Sequence, residues 1–294
     1  MTMESVEYGI IGGTGLYEMP GFEESARIRL RTPFGEPSDA YVMGRLSGRR
    51  VAFLARHGEG HRILPSEINY RANVYGFKIL GASAVLSASA VGSLKEKYVP
   101  GHAVVPDQLV DRTRHRADTF FGEGIVAHAS LAEPFCPSLR ARLLESCRNL
   151  GVQAHDGGTY LCMEGPLFST RAESLLYRAW GMDVIGMTNA QEAKLCREAE
   201  MCYASLALVT DFDCWHPDHA SVKIEDVLRI LGQNSERARA VLAAAVASPP
   251  PSSECFCRTA LTNAVVTRRE AWPEATTQRL RPLLQRLLGE GDTP

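Results

Sequence analysis

No stretch of this sequence approaches the roughly 20 consecutive apolar residues that a membrane-spanning helix needs. The segment Met1 to Glu7 is short and acidic and lacks the basic-then-apolar pattern of a secretory leader. A cytoplasmic protein is therefore expected. Nor is there a surplus of either charge: 32 basic and 34 acidic side chains leave a formal net charge of −2. That balance supplies no field that would gather nucleic acid or an anionic membrane, and neither partner is expected. Metal-type spacing is missing too. Among eight cysteines there is no CxxC pair and no histidine at ligand distance, so no metal is expected. Cys136, Cys147, Cys162, Cys196, Cys202 and Cys214 lie singly in apolar or helical contexts and read as buried reduced thiols. Cys255-Phe256-Cys257 stands apart, just after the loop-like run Ser248-Pro249-Pro250-Pro251-Ser252-Ser253. A CxC pair can close a strained local disulfide, but free thiols are the expectation in a reducing compartment. No internal repeat is visible.

What is present is an ordinary globular composition, 45% hydrophobic and 22% charged over 294 residues. Short apolar runs recur: Tyr8 to Ile11, Val51 to Leu54, Ala84 to Leu86, Ala103 to Val105, Asp183 to Ile185 and Leu206 to Val209. Each is a few residues long and ends in polar or glycine-rich sequence, as strands do when both sheet faces are covered. Between them Asn69 to Leu80, Ser138 to Leu150, Ser169 to Trp180, Gln191 to Glu200 and Lys223 to Ala247 carry helical spacing. The alternation predicts an α/β sheet fold. Residues 1–294 are expected to form a single domain, with a C-terminal helical tail from about 249 that ends in a helix near Thr276 to Leu288.

In such sheets ligands collect beyond the carboxyl ends of strands. Gly12-Gly13-Thr14-Gly15 follows the first run, with backbone N–H groups free to approach an anion and a hydroxyl on Thr14. It lacks both the GxGxxG spacing of a dinucleotide site and the lysine of a P-loop, so a plain tight turn explains it equally well. Arg56-His57-Gly58 follows the second run. An arginine fork suits a phosphate, although a surface ion pair is the ordinary use of such residues. Ser87 to Ser93 ends a third run in small hydroxyl residues and glycine, suited to close helix packing or to an oxyanion cradle. Thr188 is a fourth donor. Together they point to an anion site.

Further motifs occur in order: Thr32-Pro33-Phe34-Gly35, Asn69-Tyr70-Arg71-Ala72-Asn73, Ala132-Glu133-Pro134-Phe135, Glu164-Gly165-Pro166, Phe168-Ser169, Arg171-Ala172-Glu173 and Thr210-Asp211-Phe212-Asp213-Cys214-Trp215. With the glycine and Arg-His-Gly motifs, they make residues 6 to 232 resemble the 5′-methylthioadenosine phosphorylases of the trimeric purine nucleoside phosphorylase family. Beyond about Pro249 the likeness is weak. The resemblance implies a mostly mixed central sheet that curls toward a barrel, flanked by helices, and a homotrimer with active sites near subunit interfaces. It implies phosphorolysis of 5′-methylthioadenosine to adenine and 5-methylthioribose 1-phosphate, with phosphate as co-substrate and no cofactor. Carried onto matching positions, phosphate contacts Thr14, Arg56, His57, Ser89, Ala90 and Thr188. The ribose packs on Met187, and the base lies beside Phe168, Ser169, Asp211 and Asp213. The methylthio group meets Ile224, Val227 and Leu228, with His128 entering from a neighbouring subunit.

Two positions depart from the family pattern. Asn189-Ala190-Gln191-Glu192 stands where Thr-Val-Pro-Glu is common, which changes the entry to the next helix while keeping Glu192. Ser89 replaces a frequent threonine and keeps the hydroxyl. The chemistry is consistent with these types. Cleavage of C1′–N9 puts negative charge on the purine, so a protonated Asp213 at N7 can act as acid. Its pKa should be raised by an apolar wall around Phe212 and by Asp211. An ionised Asp211 can accept from a 6-amino group but faces a 6-oxo group badly. Related 6-oxopurine enzymes carry glutamate where Ser169 stands and asparagine where Asp211 stands. An Asp-x-Asp pair is otherwise most often a cap or a cation site, but further oxygen ligands are not evident nearby. The remaining alternatives are a methylthioinosine or 6-oxopurine phosphorylase, a hydrolase that uses water, and a nucleoside-binding protein without activity.

Overall fold

The computed structural model describes residues 5–13, 19–217 and 224–289, with backbone alone at 224–229 and 231. Eleven strands form one mixed sheet. They are β1 (Tyr8–Gly12), β2 (Glu23–Ile28), β3 (Tyr41–Leu46), β4 (Arg49–Ala55), β5 (Ala84–Ser93), β6 (Ala103–Val105), β7 (Gln108–Arg112), β8 (Ala154–Asp156), β9 (Thr159–Met163), β10 (Val184–Gly186) and β11 (Cys202–Asp211). Helices are α1 (Tyr70–Ile79), α2 (Pro137–Asn149), α3 (Arg171–Ala179), α4 (Asn189–Glu198), α5 (Ile224–Val246) and α6 (Glu274–Leu288).

The sheet runs β2-β3-β4-β1-β5 and then forks. One branch continues β10-β9-β7; the other leaves β5 through β11, then β6 and β8. The branches approach each other because β6 runs into β7 and β8 into β9 across two bends. At these bends Gly157 and Gly158 take φ of +81° and +132°, and the Gly158 N–H donates to Asp107 Oδ1 at 2.8 Å. Side-chain-bearing residues rarely adopt such φ values, so glycine makes the turn. The sheet therefore curls without closing into an unbroken ladder.

Alternation along the strands feeds a core on each face. Tyr8, Ile10, Val51, Phe53, Leu86 and Leu206 pack with Leu139 and Leu143 of α2 and Val241 and Leu242 of α5. Ile11, Leu54, Val85 and Tyr203 pack with Val74 and Phe77 of α1, Leu195 of α4 and Leu280, Leu283 and Leu284 of α6. Burying each of these α6 leucines contributes about 1.5–3 kcal/mol, so the C-terminal helix is part of the core.

Two expectations are corrected. Ser87 to Ser93 does not follow a short strand; it lies inside β5, which is ten residues long, as is β11. Cys214 is half-buried rather than buried, whereas the other five lone cysteines are buried. Cys255 and Cys257 are both free thiols.

Candidate active site

The fork in β5 makes the site. Strand β1 pairs with β5 as far as Ser87, and β10 pairs with it only from Gly92. Along this edge Ser89 and Ala90 lie between one neighbour and the next, and Ala90 is exposed within an otherwise largely buried strand. On the opposite edge β11 runs alongside from Cys202 to Asp211. The opening is thus walled by the end of β4, the end of β10 and the end of β11, a switch point of the kind where open α/β sheets bind ligands.

Arg56 follows β4 and is only 1% exposed. Its Nε donates to Glu192 Oε1 at 2.5 Å and its Nη2 to Glu192 Oε2 at 3.2 Å. Nη2 also donates to Ser87 Oγ at 2.7 Å, and Nη1 to the Ala88 carbonyl at 3.1 Å. Burial opposes the guanidinium charge, but the Glu192 carboxylate outweighs it and holds Arg56 protonated. Among the described residues, four of its five N–H donors are therefore committed to the protein. Arg56 therefore has one hydrogen and a fixed charge left to offer an anion, rather than an open fork.

His57 is buried, and its Nδ1 lies 2.8 Å from the Ile63 carbonyl. A carbonyl only accepts, so Nδ1 carries the hydrogen and Nε2 offers a lone pair. Burial, with Arg56 adjacent, pushes its pKa down to about 4, so the ring stays neutral at physiological pH. Nε2 is thus able to accept a hydrogen from a protonated oxygen.

Three hydroxyls complete this end. Ser89 Oγ, Thr188 Oγ1 and the Tyr160 hydroxyl are buried without a hydrogen-bond partner among the described residues. Thr188 is the N-cap of α4 but does not use its side chain to cap it, and Tyr160 faces Ser89 and the Thr188 backbone. Unspent buried donors beside a helix N-terminus form a site suited to an anion. Thr188→Val should raise the KM for phosphate about 10–100-fold, the cost of one charge-assisted hydrogen bond, with a smaller change in nucleoside KM. Equal changes in both constants, measured by varying each substrate in turn, would remove Thr188 from this role.

The aspartates occupy the other end. Asp211 terminates β11; its Oδ2 accepts from the Thr210 hydroxyl and its Oδ1 from the Asp213 N–H, both at 2.7 Å. Asp213 follows at φ +51°, a conformation aspartate tolerates better than most residues. Burial raises the pKa of Asp211, against those two hydrogen bonds. Burial is also the main cause of the rise at Asp213, reinforced by Asp211. The hydroxyls of Ser174 and Ser169 face Asp213 and partly offset the rise, yet its Oδ2 is buried with no partner among the described residues. Beside it, the Phe212 ring packs on Trp215 and His216. Gly92 lies behind the pair: a Cβ there would sit 3.0 Å from Asp211 Oδ1 and 3.3 Å from the Asp213 Cβ.

The loop after β11 is fixed from two sides. Trp215 Nε1 donates to the Ser93 carbonyl at 2.7 Å, under the Arg178 guanidinium 3.4 Å from its ring. Cys214 Sγ donates to the Ser169 carbonyl at 3.2 Å. Ser169 precedes α3, whose start is locked by a capping box between Thr170 and Glu173. Phe168 is 62% exposed at the rim.

Met187 is half-buried, and its carbonyl accepts from Arg116 Nη1 at 2.6 Å. Arg116 also donates to Gln191 Oε1 at 3.0 Å, to Glu164 Oε1 at 3.0 Å and to the Tyr70 hydroxyl at 3.1 Å. Gln191 in turn donates to Thr113 Oγ1 at 2.8 Å. Sequence reasoning missed this network, and with it Tyr160. Nothing singles out Arg116 within Asp111-Arg112-Thr113-Arg114-His115-Arg116. Gln191 was visible as a departure from the family pattern, and its amide supplies hydrogen bonds that a proline could not. Asn189, beside Thr188, is fully buried with neither amide atom partnered among the described residues.

Arg56, His57, Ser89, Ala90, Met187, Thr188, Ser169, Asp211 and Asp213 thus gather around the fork in β5 and the loops beside it. Thr14 lies outside the described residues. Ile224, Val227 and Leu228 are in the first turns of α5, where their side chains lie outside the described part. His128 is exposed, and its N–H donates to the Ala264 carbonyl of the C-terminal segment at 2.8 Å.

Residues 7–247 match the phosphorylase superfamily. The S-methyl-5′-thioadenosine phosphorylase of Koribacter versatilis is 54% identical over 284 residues, covering 97% of this chain and 97% of its own. That of Geobacter sulfurreducens is 52% identical and covers 95% of this chain and 97% of its own. Among solved structures, a methylthioadenosine phosphorylase from an Antarctic soil metagenomic library matches with a TM-score of 0.91 at 49% identity, over 95% of this chain and 99% of that one. A mutant adenosine/methylthioadenosine phosphorylase from Schistosoma mansoni, in complex with methylthioadenosine, matches at 0.78 and 40% identity, over 83% and 91%. The likeness to the first of these relatives runs through the segment after Pro249, where the motifs alone indicate little.

Proposed function

The chain belongs to the phosphorylase superfamily, and from that premise we infer that it cleaves 5′-methylthioadenosine with inorganic phosphate, releasing adenine and 5-methylthioribose 1-phosphate. The observation that carries the reading is the pair of unlike ends of one opening. Unspent hydroxyls and a buried cation flank its anion side, and a buried carboxyl with a free oxygen lies on its other side. Phosphate held by Thr188, Ser89, the remaining Arg56 hydrogen and the Ala90 backbone attacks C1′. His57 Nε2 takes the hydrogen bond of the phosphate P–OH. As C1′–N9 breaks, its electron pair goes to the purine, and Asp213 delivers a proton to N7. The bound phosphate also stabilises the ribosyl cation, and holding it in line is chiefly an orientation effect. Asp211 reads the 6-amino group. Thr14 joins the phosphate set, Phe168, Ser169 and Met187 line base and ribose, and Ile224, Val227 and Leu228 receive the methylthio group.

A single nucleoside phosphorylase domain, acting in the cytoplasm as a homotrimer without a cofactor, fits this reading. No helix among the described residues is long and apolar enough to cross a membrane. The trimer is supported by the exposed apolar side chains of Leu167 and Phe168 and of Leu175, Leu176 and Trp180 on and beside α3. It would bring exposed His128 of one subunit to the site of the next.

Base release from methylthioadenosine, methylthioinosine and inosine, with and without phosphate, tests the function. Release without phosphate would replace phosphorolysis by hydrolysis, and a preference for inosine would overturn the base assignment. Asp211→Asn should cut the preference for 6-amino over 6-oxo substrates by about 10-fold or more, since one hydrogen bond is lost for one and gained for the other. An unchanged kcat/KM ratio would remove Asp211 from base recognition.

A further inference from the structure

Away from the opening, four cysteines from three distant segments meet. Cys136 precedes α2, Cys202 opens β11, and Cys255 and Cys257 flank the start of the 3-10 turn Phe256–Thr259. Their four Sγ atoms lie within 4.8 Å of one another, with Cys136 and Cys255 at 3.8 Å and Cys202 and Cys255 at 3.6 Å. Four sulfurs around one zinc at the usual Zn–S length stand about 3.8 Å apart, the edge of the tetrahedron. We propose that Cys136, Cys202, Cys255 and Cys257 form a structural zinc site that fastens the C-terminal segment to the α/β body.

The surroundings suit thiolates. Cys136 is the N-cap of α2 and makes no side-chain hydrogen bond to that helix end, whose dipole favours a negative sulfur. Its N–H donates to the Tyr203 carbonyl at 2.7 Å, which holds the first ligand beside the second. The guanidinium of Arg197 lies over the Phe256 ring at 4.6 Å, placing a cation next to the CxC pair. Cys136, Cys202 and Cys257 are buried, whereas Cys255 is half-buried and gives the ion a path in. Spacing offered no zinc signature because only the CxC pair is local. The other two ligands lie 119 and 53 residues from Cys255 in sequence. Nothing in the site chemistry requires this centre, so its expected effect is on stability. Binding a metal deprotonates the thiols: each S–H proton goes to solvent and each sulfur lone pair to the metal.

Full-length protein, reduced, stripped of metal and titrated with zinc(II) against a chromophoric chelator, should take up about one zinc per chain. Cobalt(II) in its place should give the strong visible bands of a tetrahedral thiolate complex. Cys255→Ser with Cys257→Ser should abolish both signals and the metal-dependent rise in Tm, while kcat and KM at moderate temperature stay unchanged. If that variant fails to fold, the zinc content and cobalt spectrum of the parent still decide. A reduced parent that takes up no zinc, or uptake that survives the double substitution, overturns the proposal. So does a disulfide among these four cysteines in protein taken unreduced from cells.

Discussion

Asp213→Asn is expected to lower kcat/KM for methylthioadenosine by about 10²- to 10⁴-fold, the range lost when a general acid is removed. The asparagine keeps the shape and can still donate a hydrogen bond to N7, but it cannot transfer a proton to the leaving adenine. The pH profile gives the more specific readout. Burial and Asp211 raise the Asp213 pKa, so more of the acid form survives toward neutral pH than for an exposed aspartate. As pH climbs through that raised value the proton is lost and the rate falls, which makes Asp213 a source of the basic limb. Asparagine should remove that limb as well as lower the plateau. Stability should move the opposite way. A carboxyl with a raised folded pKa binds its proton more tightly in the native state, so its contribution to stability fades as pH rises through the folded pKa. At neutral pH the asparagine variant should melt no lower than the parent. A basic limb unchanged in Asp213→Asn, with a rate loss under about 10-fold, would take proton transfer away from this residue.

Glu192→Ala should produce the largest loss of stability. Glu192 and Arg56 form a buried pair, with side chains 1% and 2% exposed. Removing one member strands the other charge, which costs about 3–5 kcal/mol. At this chain length that corresponds to a fall in Tm of roughly 6–20 °C, measured by calorimetry or thermal circular dichroism. The Tyr203 hydroxyl, which donates to Glu192 Oε2 at 2.8 Å, loses its acceptor at the same time. Glu192→Gln keeps one acceptor oxygen and the volume, so it should lose less stability yet still weaken phosphate binding, because Arg56 is no longer aimed. If Glu192→Ala melts within about 2 °C of the parent, the pair is not the buried, desolvated contact described.

Much of this architecture was legible because strand ends and helix starts carry their own chemical signs. Asn69 caps α1 by accepting from the Ala72 N–H at 3.1 Å, and Thr170 with Glu173 boxes α3, so both helices begin within two residues of where their spacing predicts. Strands β2, β3, β7, β8 and β9 were not seen. The β2 segment, Glu-Glu-Ser-Ala-Arg-Ile, sits at the sheet edge with almost every side chain exposed and carries no hydrophobic signal. Strands β7, β8 and β9 lie at the bends, where a three- to five-residue segment shows too few alternations to register. Strand β3, Tyr-Val-Met-Gly-Arg-Leu, is buried at all but one position, but Gly44 and Arg45 cut its apolar run short. In the site, residues expected to meet ligand were visible through motif and position. Those that hold them were not, since Arg116 works through side-chain bonds to residues up to 75 positions away. The role of Arg56 also changed: read as an open fork for phosphate, it spends most of its donors on Glu192, Ser87 and Ala88.

The contrast between Gly92 and Phe168 bears on how such an enzyme can diverge. Behind the aspartates a methyl group at Gly92 would fit only if the Asp211 carboxylate, Ile185 and the Asp213 side chain each gave by a few tenths of an ångström. Any side chain at that position therefore presses on the two carboxylates that the acid chemistry depends on. The rim is different: Leu167 and Phe168 are 82% and 62% exposed, on a loop whose side chains can be exchanged without disturbing the sheet. Changes of diet among descendants of this chain should accumulate along that loop and at the start of α5, while the machinery that expels the base is inherited intact.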